Sequence, residues 1–484
     1  MPYLAPVNYL ETAPRGNRLH TLIKIDEGTS LGAARIRIRS LLAAVWERRE
    51  ERGSSDVIPA MSSPVNVVTG TGSKGHTILV PQMAPLHFSI LEKAFISEGY
   101  RLELLPSVSP KAIETGLAYV HNDACYPAIV VIGQLLEALR SGAYDPSRTS
   151  MMLAQTCGPC RASNYAGLLR KALCEAGFSN VPVMTIVNSS ASAKSDLKLT
   201  MPLFRKLIIA CLYGDILQRV SMHVRANETC SGTADNLLAD WVDRVSTAIS
   251  AGELNLFKSH VRKIVRDFAA VPCDDIPRPK VGIVGGILLK YHPDANNNIA
   301  SSIMEAGGEP VSTDLTDFFL YCAFDPIYSW RHLGGKFLPA LSSWLFIRRV
   351  EALRRYMRKA LEGSPFMPLA SIADLASSIK GIISCGHQAG EGWLLTAEML
   401  EFINHGVRNV LCLQPFGCLP NHITGKGVMK ELKRQRAGVN LMALDYDPGT
   451  SLANQLNRIK LFMSVANVRL QEELVHGIKN NSCA

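Results

Sequence analysis

One order of parts occurs twice in this sequence: a cysteine, an amphipathic helical run, a short apolar strand, then Gln, Gly and a cysteine again. The first copy runs from His121 to Tyr165, as HNDACYP, a helical run and SMMLAQTCGPCRASNY. The second runs from Ile382 to Asn421, as IISCGHQAGEGWLLTAEML and then VRNVLCLQPFGCLPN. Cys125 precedes Cys157 by 32 positions and Cys385 precedes Cys418 by 33, while Gln155 and Gln414 hold like places ahead of the closing cysteines. A thiol at the end of a strand that opens a helix faces the unpaired N–H groups of that helix. Their partial positive charge favours thiolate, the form that binds metal. Two half-sites of like design predict one site between two halves of the chain.

Between and around these copies, strand and helix alternate. From Thr77 the order is a strand, a helix from about Pro85 to Glu98, a strand from Tyr100 to Leu105, and a helix from Pro110 to Ala118. A helix from Asn164 to Ala176 and a strand from Val181 to Val187 follow the first half-site. Such alternation implies a parallel sheet covered by helices. Leu197 to Ser250 is helical in pattern, as an insertion or interdomain layer. Prolines in VPCDDIPRP, Val271 to Pro279, mark the boundary. A buried strand, KVGIVGGILL, opens the second half, residues 341 to 375 form a helical excursion, and Leu441 to Leu444 is the last strand. The reading divides the chain into an arm and linker over 1–76, a first α/β domain with a helical extension over 77–272, and a second α/β domain with a C-terminal helix over 273–484.

Composition removes several function classes. With 484 residues, 47% hydrophobic and 19% charged, the chain can bury a large core and form two or more domains. No stretch approaches the roughly 20 apolar residues that a membrane span needs. The opening MPYLAPVNYLETAPRG lacks a basic segment followed by an apolar core, so a secretion signal is not expected. Twelve cysteines without such a signal point to the cytoplasm, a reducing compartment, and to thiol or metal chemistry over disulfides. The net charge of +9 comes partly from Arg35, Arg37, Arg39, Arg48, Arg49 and Arg52 and partly from Lys430 to Arg436. These lack interleaved aromatics, so nucleic acid is not an expected partner. They read as solvated helix faces, with a basic rim that could draw an acidic electron donor or a phosphorylated substrate.

Two glycine-rich runs fail as nucleotide loops. A phosphate loop needs four residues between its glycines and then Gly-Lys-Ser/Thr opening a helix, whereas Gly70 to Gly75 leads through His76 into the strand-like Thr77 to Val80. Gly282, Gly285 and Gly286 do not form the dinucleotide fingerprint, and no acidic residue stands at the expected later position. The chain is therefore not expected to hydrolyse ATP. Asp445 and Asp447 could hold a hard cation, but a polar loop with Asp capping the next turn is sufficient explanation.

The runs NDACYPAIVVIGQLLEALRSGAYD, QTCGPCRASNY, KVGIVGGILLKYHPDANNNI, CGHQAGEGWLLTAEML, QPFGCLPNHITGKG and LDYDPGTSLANQLNRIK resemble the C-terminal portion of the large activase-related proteins of the 2-hydroxyacyl-CoA dehydratase group. That group includes the dehydratase subunits and the double-cubane iron–sulfur proteins. The resemblance covers about residues 77 to 462. It implies an α/β fold of two flavodoxin-like (Rossmann-like) domains with an iron–sulfur cluster between them, reduced by an ATP-hydrolysing activator. In the dehydratases the transferred electron makes a ketyl radical of the CoA thioester, which permits loss of an unreactive hydroxyl; in the double-cubane relatives the cluster reduces small molecules. The large fused members carry the activator ATPase in the same chain. This sequence lacks that part, so a partner ATPase is expected, together with an acyl-CoA substrate if the chain is a lyase. A homo-oligomer is also admitted.

The same resemblance carries cluster ligation to Cys125, Cys160, Cys385 and Cys418, with Cys157 as a further metal thiol. Four thiolates suit a 4Fe-4S cubane, and a double cubane needs a fifth or sixth. Gly158, Gly386 and Gly417 would let backbone N–H groups approach cluster sulfurs. Glu391 could transfer a proton or serve as a helix-entry charge. Asn122, Gln155, Gln414 and His422 could donate hydrogen bonds, and Arg161 could balance charge. Cys230 lies in a polar loop, and Cys174, Cys211, Cys322 and Cys412 read as core thiols. Three classes stay open: a cluster-bearing lyase or reductase component, a non-catalytic electron relay, and an α/β binding protein in which the same four thiolates hold zinc.

Overall fold

The computed structural model describes residues 38, 39, 41–43, 45, 75–106, 108–121, 124–156, 160–187 and 200–481. The expected arm over 1–76 falls almost wholly outside these residues, as do Asn122, Cys157 and Gly158. The first half begins with β1 (Thr77–Val80), α1 (Pro85–Ser97), β2 (Arg101–Leu104), α2 (Pro110–Tyr119) and α3 (Tyr126–Arg140). It continues with β3 (Thr149–Gln155), α4 (Tyr165–Glu175) and β4 (Val183–Val187). A helical extension follows: α5 (Met201–Asn227), α6 (Thr233–Ala251) and α7 (Phe257–Ala269). The second half runs β5 (Lys280–Gly285), α8 (Ile287–Tyr291), α9 (Ile299–Glu305), β6 (Glu309–Ser312), α10 (Leu315–His332) and α11 (Phe337–Leu361). It ends with α12 (Ile372–Ser378), α13 (Trp393–Asn404), β7 (Asn409–Pro415), α14 (Met429–Gln435), β8 (Asn440–Tyr446) and α15 (Leu452–Asn481).

Both sheets are four-stranded and wholly parallel, in the orders β2-β1-β3-β4 and β6-β5-β7-β8. The fold is therefore α/β with two flavodoxin-like domains. The continuous apolar runs expected of strands covered on both faces are what β3 and β7 present: Thr149 to Leu153 and Val410 to Pro415 are buried. Local chemistry sets the helix starts. Ser109 and Thr200 accept backbone N–H bonds from Ala112 and Leu203, Ser371 and Asp374 form a capping box, and proline stands in the first turn of α1, α2, α3 and α5. Each feature satisfies or removes an orphan donor at the helix entrance.

The two halves share their interior. One apolar cluster joins Leu79, Met151 and Leu153 of the first sheet with Val281, Ile283, Leu411, Leu413 and Leu444 of the second. Helix α5 adds a polar seam. Arg219 bonds Asp314 at 2.7 Å, Gln218 donates to Ser312 at 2.7 Å, and the Asp215 carboxylate takes His87 at 2.8 Å and the Leu315 N–H at 2.7 Å. Arg354, fully buried, reaches Asp317 at 2.7 Å. Burial opposes ionisation of Asp314, yet Arg219 and Arg354 hold its pKa below the usual value; Asp317 is pushed well above it, first by burial. Among the described residues α5 is the helix long and apolar enough to cross a membrane, and 72% of its apolar window is buried inside the protein. It is a core helix in this fold. The helical excursion expected over 341–375 is longer than the sequence suggests, since α10 begins at Leu315.

Candidate functional site

In an open parallel sheet, ligands bind outside the carboxyl ends of the strands where the strand order reverses. Here the reversals fall between β1 and β3 and between β5 and β7. Strand β3 delivers Cys160 just beyond its end, and β7 delivers Cys418. Cys125 is the residue immediately before α3. All three thiols line one small cavity of about 20 Å³, together with Ala124, Arg161 and the run from Pro415 to Pro420. One thiol pair thus comes from the first half and the third thiol from the second. The Arg161 guanidinium donates to the Ala124 carbonyl, which ties the Cys160 turn to the Cys125 turn.

Two polar side chains without an assigned role in the sequence reading touch these sulfurs. The Tyr165 hydroxyl lies 3.2 Å from Cys125 Sγ, and the Asn421 amide donates to Cys418 Sγ at 3.1 Å. Tyr165 is the last residue of the CRASNY run, brought back over the thiols by the short turn Arg161–Asn164 that opens α4. Its hydroxyl pKa is raised well above the usual value, first by burial and then by all three cysteines. The only available signal was its place beside the motif cysteine, since an aromatic at a helix start is ordinarily a packing residue.

Burial pushes all three thiols up. Cys160 reaches about 12, with the Glu391 carboxylate the next cause after burial; Cys418 rises well above its usual value for the same two reasons. Cys125 is also raised by burial, against the pull of the Tyr165 hydroxyl and the Ala128 N–H toward thiolate. Glu391 acts on each of the three, and its own carboxyl is raised by burial. Metal binding reverses this balance, because a cation makes the thiolate the favoured form.

The CGHQAGEG run therefore reaches the site through Gly390 and Glu391. A Cβ at Gly390 would stand 3.6 Å from Cys160 Sγ and 2.9 Å from Pro420 Cγ, so only a residue without a side chain lets this loop close on the thiols. Cys385, expected as the fourth ligand, is elsewhere. Its Sγ lies 3.9 Å from the Ala376 carbonyl, it does not line the cavity, and its thiol is raised first by burial, with Lys380 and Asp325 as the charges acting on it. The loop turns between positions 385 and 390, and this separates the cysteine from the other three. Gly386 lies by Tyr328 and Ser384, away from the sulfurs.

The remaining polar residues of the motifs have structural partners. Gln155 accepts from the Ala166 N–H at 3.3 Å and so braces the start of α4; buried Gln414 donates to Asp445 at 2.6 Å across β7 and β8. His422 Nδ1 lies 2.9 Å from the Cys418 carbonyl oxygen. Asp447 accepts the Gly449 N–H at 2.9 Å, as expected of a polar turn. Cys211 and Cys412 are buried, as expected of core thiols, while Cys230 is exposed.

Three thiols are the kind of soft donor that iron and zinc both accept. Two of the three sulfurs have a polar side chain within hydrogen-bond distance. The cavity has room for about one water molecule, less than an iron–sulfur cluster occupies. Among the described residues, no three His, Cys, Asp or Glu side chains are gathered closely enough to enclose a single metal ion. A tetrahedral zinc would need its sulfurs about 3.8 Å apart, from a Zn–S bond of about 2.3 Å, whereas a cubane spreads its ligands over several irons. No family model matches this chain, and no curated protein matches it.

Proposed function

We propose that this protein is a cytoplasmic iron–sulfur component of the 2-hydroxyacyl-CoA dehydratase group, carrying its cluster on Cys125, Cys160 and Cys418 and taking low-potential electrons from an ATP-hydrolysing activator. The observation that carries this reading is the convergence of three thiols, from both halves of the chain, on one cavity at the strand-order reversals of two parallel sheets. When bound, the cluster would supply one-electron transfer to a substrate at the site. The chain's own residues would do the rest. Cys125, Cys160 and Cys418 bind the metal; Tyr165 and Asn421 donate to two of the sulfurs and stabilise the more negative, reduced form. Arg161 favours thiolate at Cys125. An acyl-CoA thioester is the expected substrate of the lyase reading.

A non-catalytic electron relay that carries the same cluster is the alternative reading. Anaerobic turnover of a 2-hydroxyacyl-CoA with dithionite and an activator ATPase separates the two: dehydration supports the lyase, and reduction of the protein without dehydration supports the relay. Serine substitutions test the ligand set. Cys125→Ser, Cys160→Ser and Cys418→Ser should each lose bound iron, while Cys385→Ser should retain it; equal loss in all four would restore Cys385 to the ligand set.

A further inference from the structure

The hairpin of α10 and α11 carries large apolar side chains outward at its end. Between Trp330 and Arg349, Ala340 is the one buried residue, so little of this end packs against the rest of the protein. Leu333, Phe337, Leu338 and Leu345 are 66%, 53%, 75% and 53% exposed, and Trp330 and Trp344 are exposed beside them. The turn is nevertheless well held. The Leu333 and Gly335 N–H groups both donate to the Ser329 carbonyl, at 2.8 and 2.9 Å, and the Trp330 and Phe337 rings pack 5.4 Å apart. The base of the hairpin is anchored, because Val350, Arg354, Met357 and Leu361 are buried and Phe346 packs on Phe204 of α5 at 5.8 Å. A contiguous exposed apolar surface of this kind ordinarily marks an interaction site.

Charge and order select what covers it. The segment from Pro326 to Val350 contains Arg331, Lys336, Arg348 and Arg349 and no Asp or Glu, and all four cations are exposed. A second copy of this chain on the same face would set these four cations against the same four. An anionic surface complements them. Phe337 and Leu338 stand at the tip, Trp344 and Leu345 follow about 10 Å further along α11, and Arg348 and Arg349 lie about 15 Å from the tip. The Arg348 guanidinium stacks over the Trp344 ring at 4.7 Å. Apolar tip, tryptophan and then arginine is the order of acyl chains, interface and headgroup phosphates in a bilayer. A flat acidic protein surface would match the charge but not this order. Lys336, at the tip, has a stem long enough to return its ammonium to the headgroups. We propose that the end of the α10–α11 hairpin is a membrane-surface anchor, seating Leu333, Phe337 and Leu338 in the boundary layer of an anionic bilayer while Arg348 and Arg349 meet lipid phosphates. The interaction needs no metal at the thiols.

The test is co-sedimentation of the full chain with vesicles of phosphatidylcholine and phosphatidylserine, with pure phosphatidylcholine vesicles as the control. Wild type should bind the mixed vesicles and bind the control far less. Leu333→Ser/Leu338→Ser should weaken binding by about tenfold or more, and Arg348→Gln/Arg349→Gln by about fivefold for each charge removed. All four side chains are exposed, so the far-ultraviolet circular dichroism of these variants should match wild type. Tryptophan fluorescence should be quenched by brominated lipid, and Trp330→Phe/Trp344→Phe should reduce that quenching, since Trp241 and Trp393 are buried; this places the hairpin, and not another basic face, at the bilayer. Absence of binding to the mixed vesicles, or binding that Leu333→Ser/Leu338→Ser leaves unchanged, would overturn the proposal. Without vesicle binding, self-association in sedimentation velocity that the same pair abolishes would overturn it in favour of two copies of this chain, and a complex with an acidic protein that the pair abolishes would overturn it in favour of a protein partner.

Discussion

The loop that carries Glu391 to the thiols depends on Gly392, and the cost of filling that position can be worked from the geometry. Gly392 precedes α13 with φ 45° and ψ −131°, a conformation that residues with a side chain avoid. A Cβ there would stand 2.0 Å from the His387 carbonyl oxygen and 2.2 Å from the Tyr321 hydroxyl. The carbonyl cannot simply move away, because it accepts the Trp393 N–H at 2.8 Å. Gly406, just beyond the other end of α13, is the internal standard. It has φ 82° and nothing within 4 Å of its Cβ position. Gly406→Ala should therefore cost about 1 kcal/mol, the left-handed penalty less the gain from a stiffer unfolded chain. Gly392→Ala adds overlap with held backbone, worth about 1–3 kcal/mol in a packed region, on top of a conformational cost of about 1–3 kcal/mol. The expected total is about 2–6 kcal/mol. Urea unfolding followed by far-ultraviolet circular dichroism measures both. If Gly392→Ala costs no more than Gly406→Ala, the loop is not held as described, and the placement of Glu391 falls with it.

Further predictions concern the seam and the titrating groups. Arg354→Ala should cost about 3–5 kcal/mol in urea unfolding, because it leaves Asp314 and Asp317 buried without one of their cations. Asp325 is pushed up to about 8 by burial, from an ordinary value of 3.8. Its folded form binds the proton more tightly than its unfolded form, so stability is full below pH 4 and is lost as pH rises to about 8. Asp325→Asn should remove that loss, and unfolding at pH 5 and pH 8 should find the variant gaining on wild type by a few kcal/mol at the higher pH. In the metal-free protein, alkylation by iodoacetamide at pH 8 should modify exposed Cys230 and Cys273 before Cys160 and Cys418, whose thiols burial holds neutral. Peptide mass spectrometry reads the order.

Much of this architecture is legible in the sequence because strand and helix periods differ and the boundaries are punctuated by Pro, Ser and Thr. The strand from Thr77, the prolines before Lys280 and the apolar run ending at Gln155 each mark an element that the structure contains within a few residues. The assembly of Cys125, Cys160 and Cys418 follows from the same rule, since the end of a central parallel strand is a fixed place in such a sheet. Cys385 stands apart from the other three thiols for a definable reason. Its spacing from Cys418 matches that of Cys125 from Cys157, but Cys125 directly precedes α3, whereas Cys385 stands ahead of a loop that turns before α13 begins at Trp393. Spacings of 32 and 33 positions therefore start from different local surroundings. Tyr165 and Asn421 were overlooked because their roles depend on side-chain direction over a turn, which spacing does not encode. The Arg219–Asp314 and Arg354–Asp317 pairs join residues far apart in the chain, and nothing local marks either member as buried.

Three thiols from two α/β halves are proposed to hold a redox cluster. Anaerobic purification followed by iron and acid-labile sulfide quantification, with EPR of the dithionite-reduced protein, tests it most directly. Iron and sulfide are expected in equal amounts, with a reduced-cluster signal that disappears in Cys125→Ser, Cys160→Ser and Cys418→Ser. A colourless protein without sulfide, or a signal indifferent to those three substitutions, would contradict it.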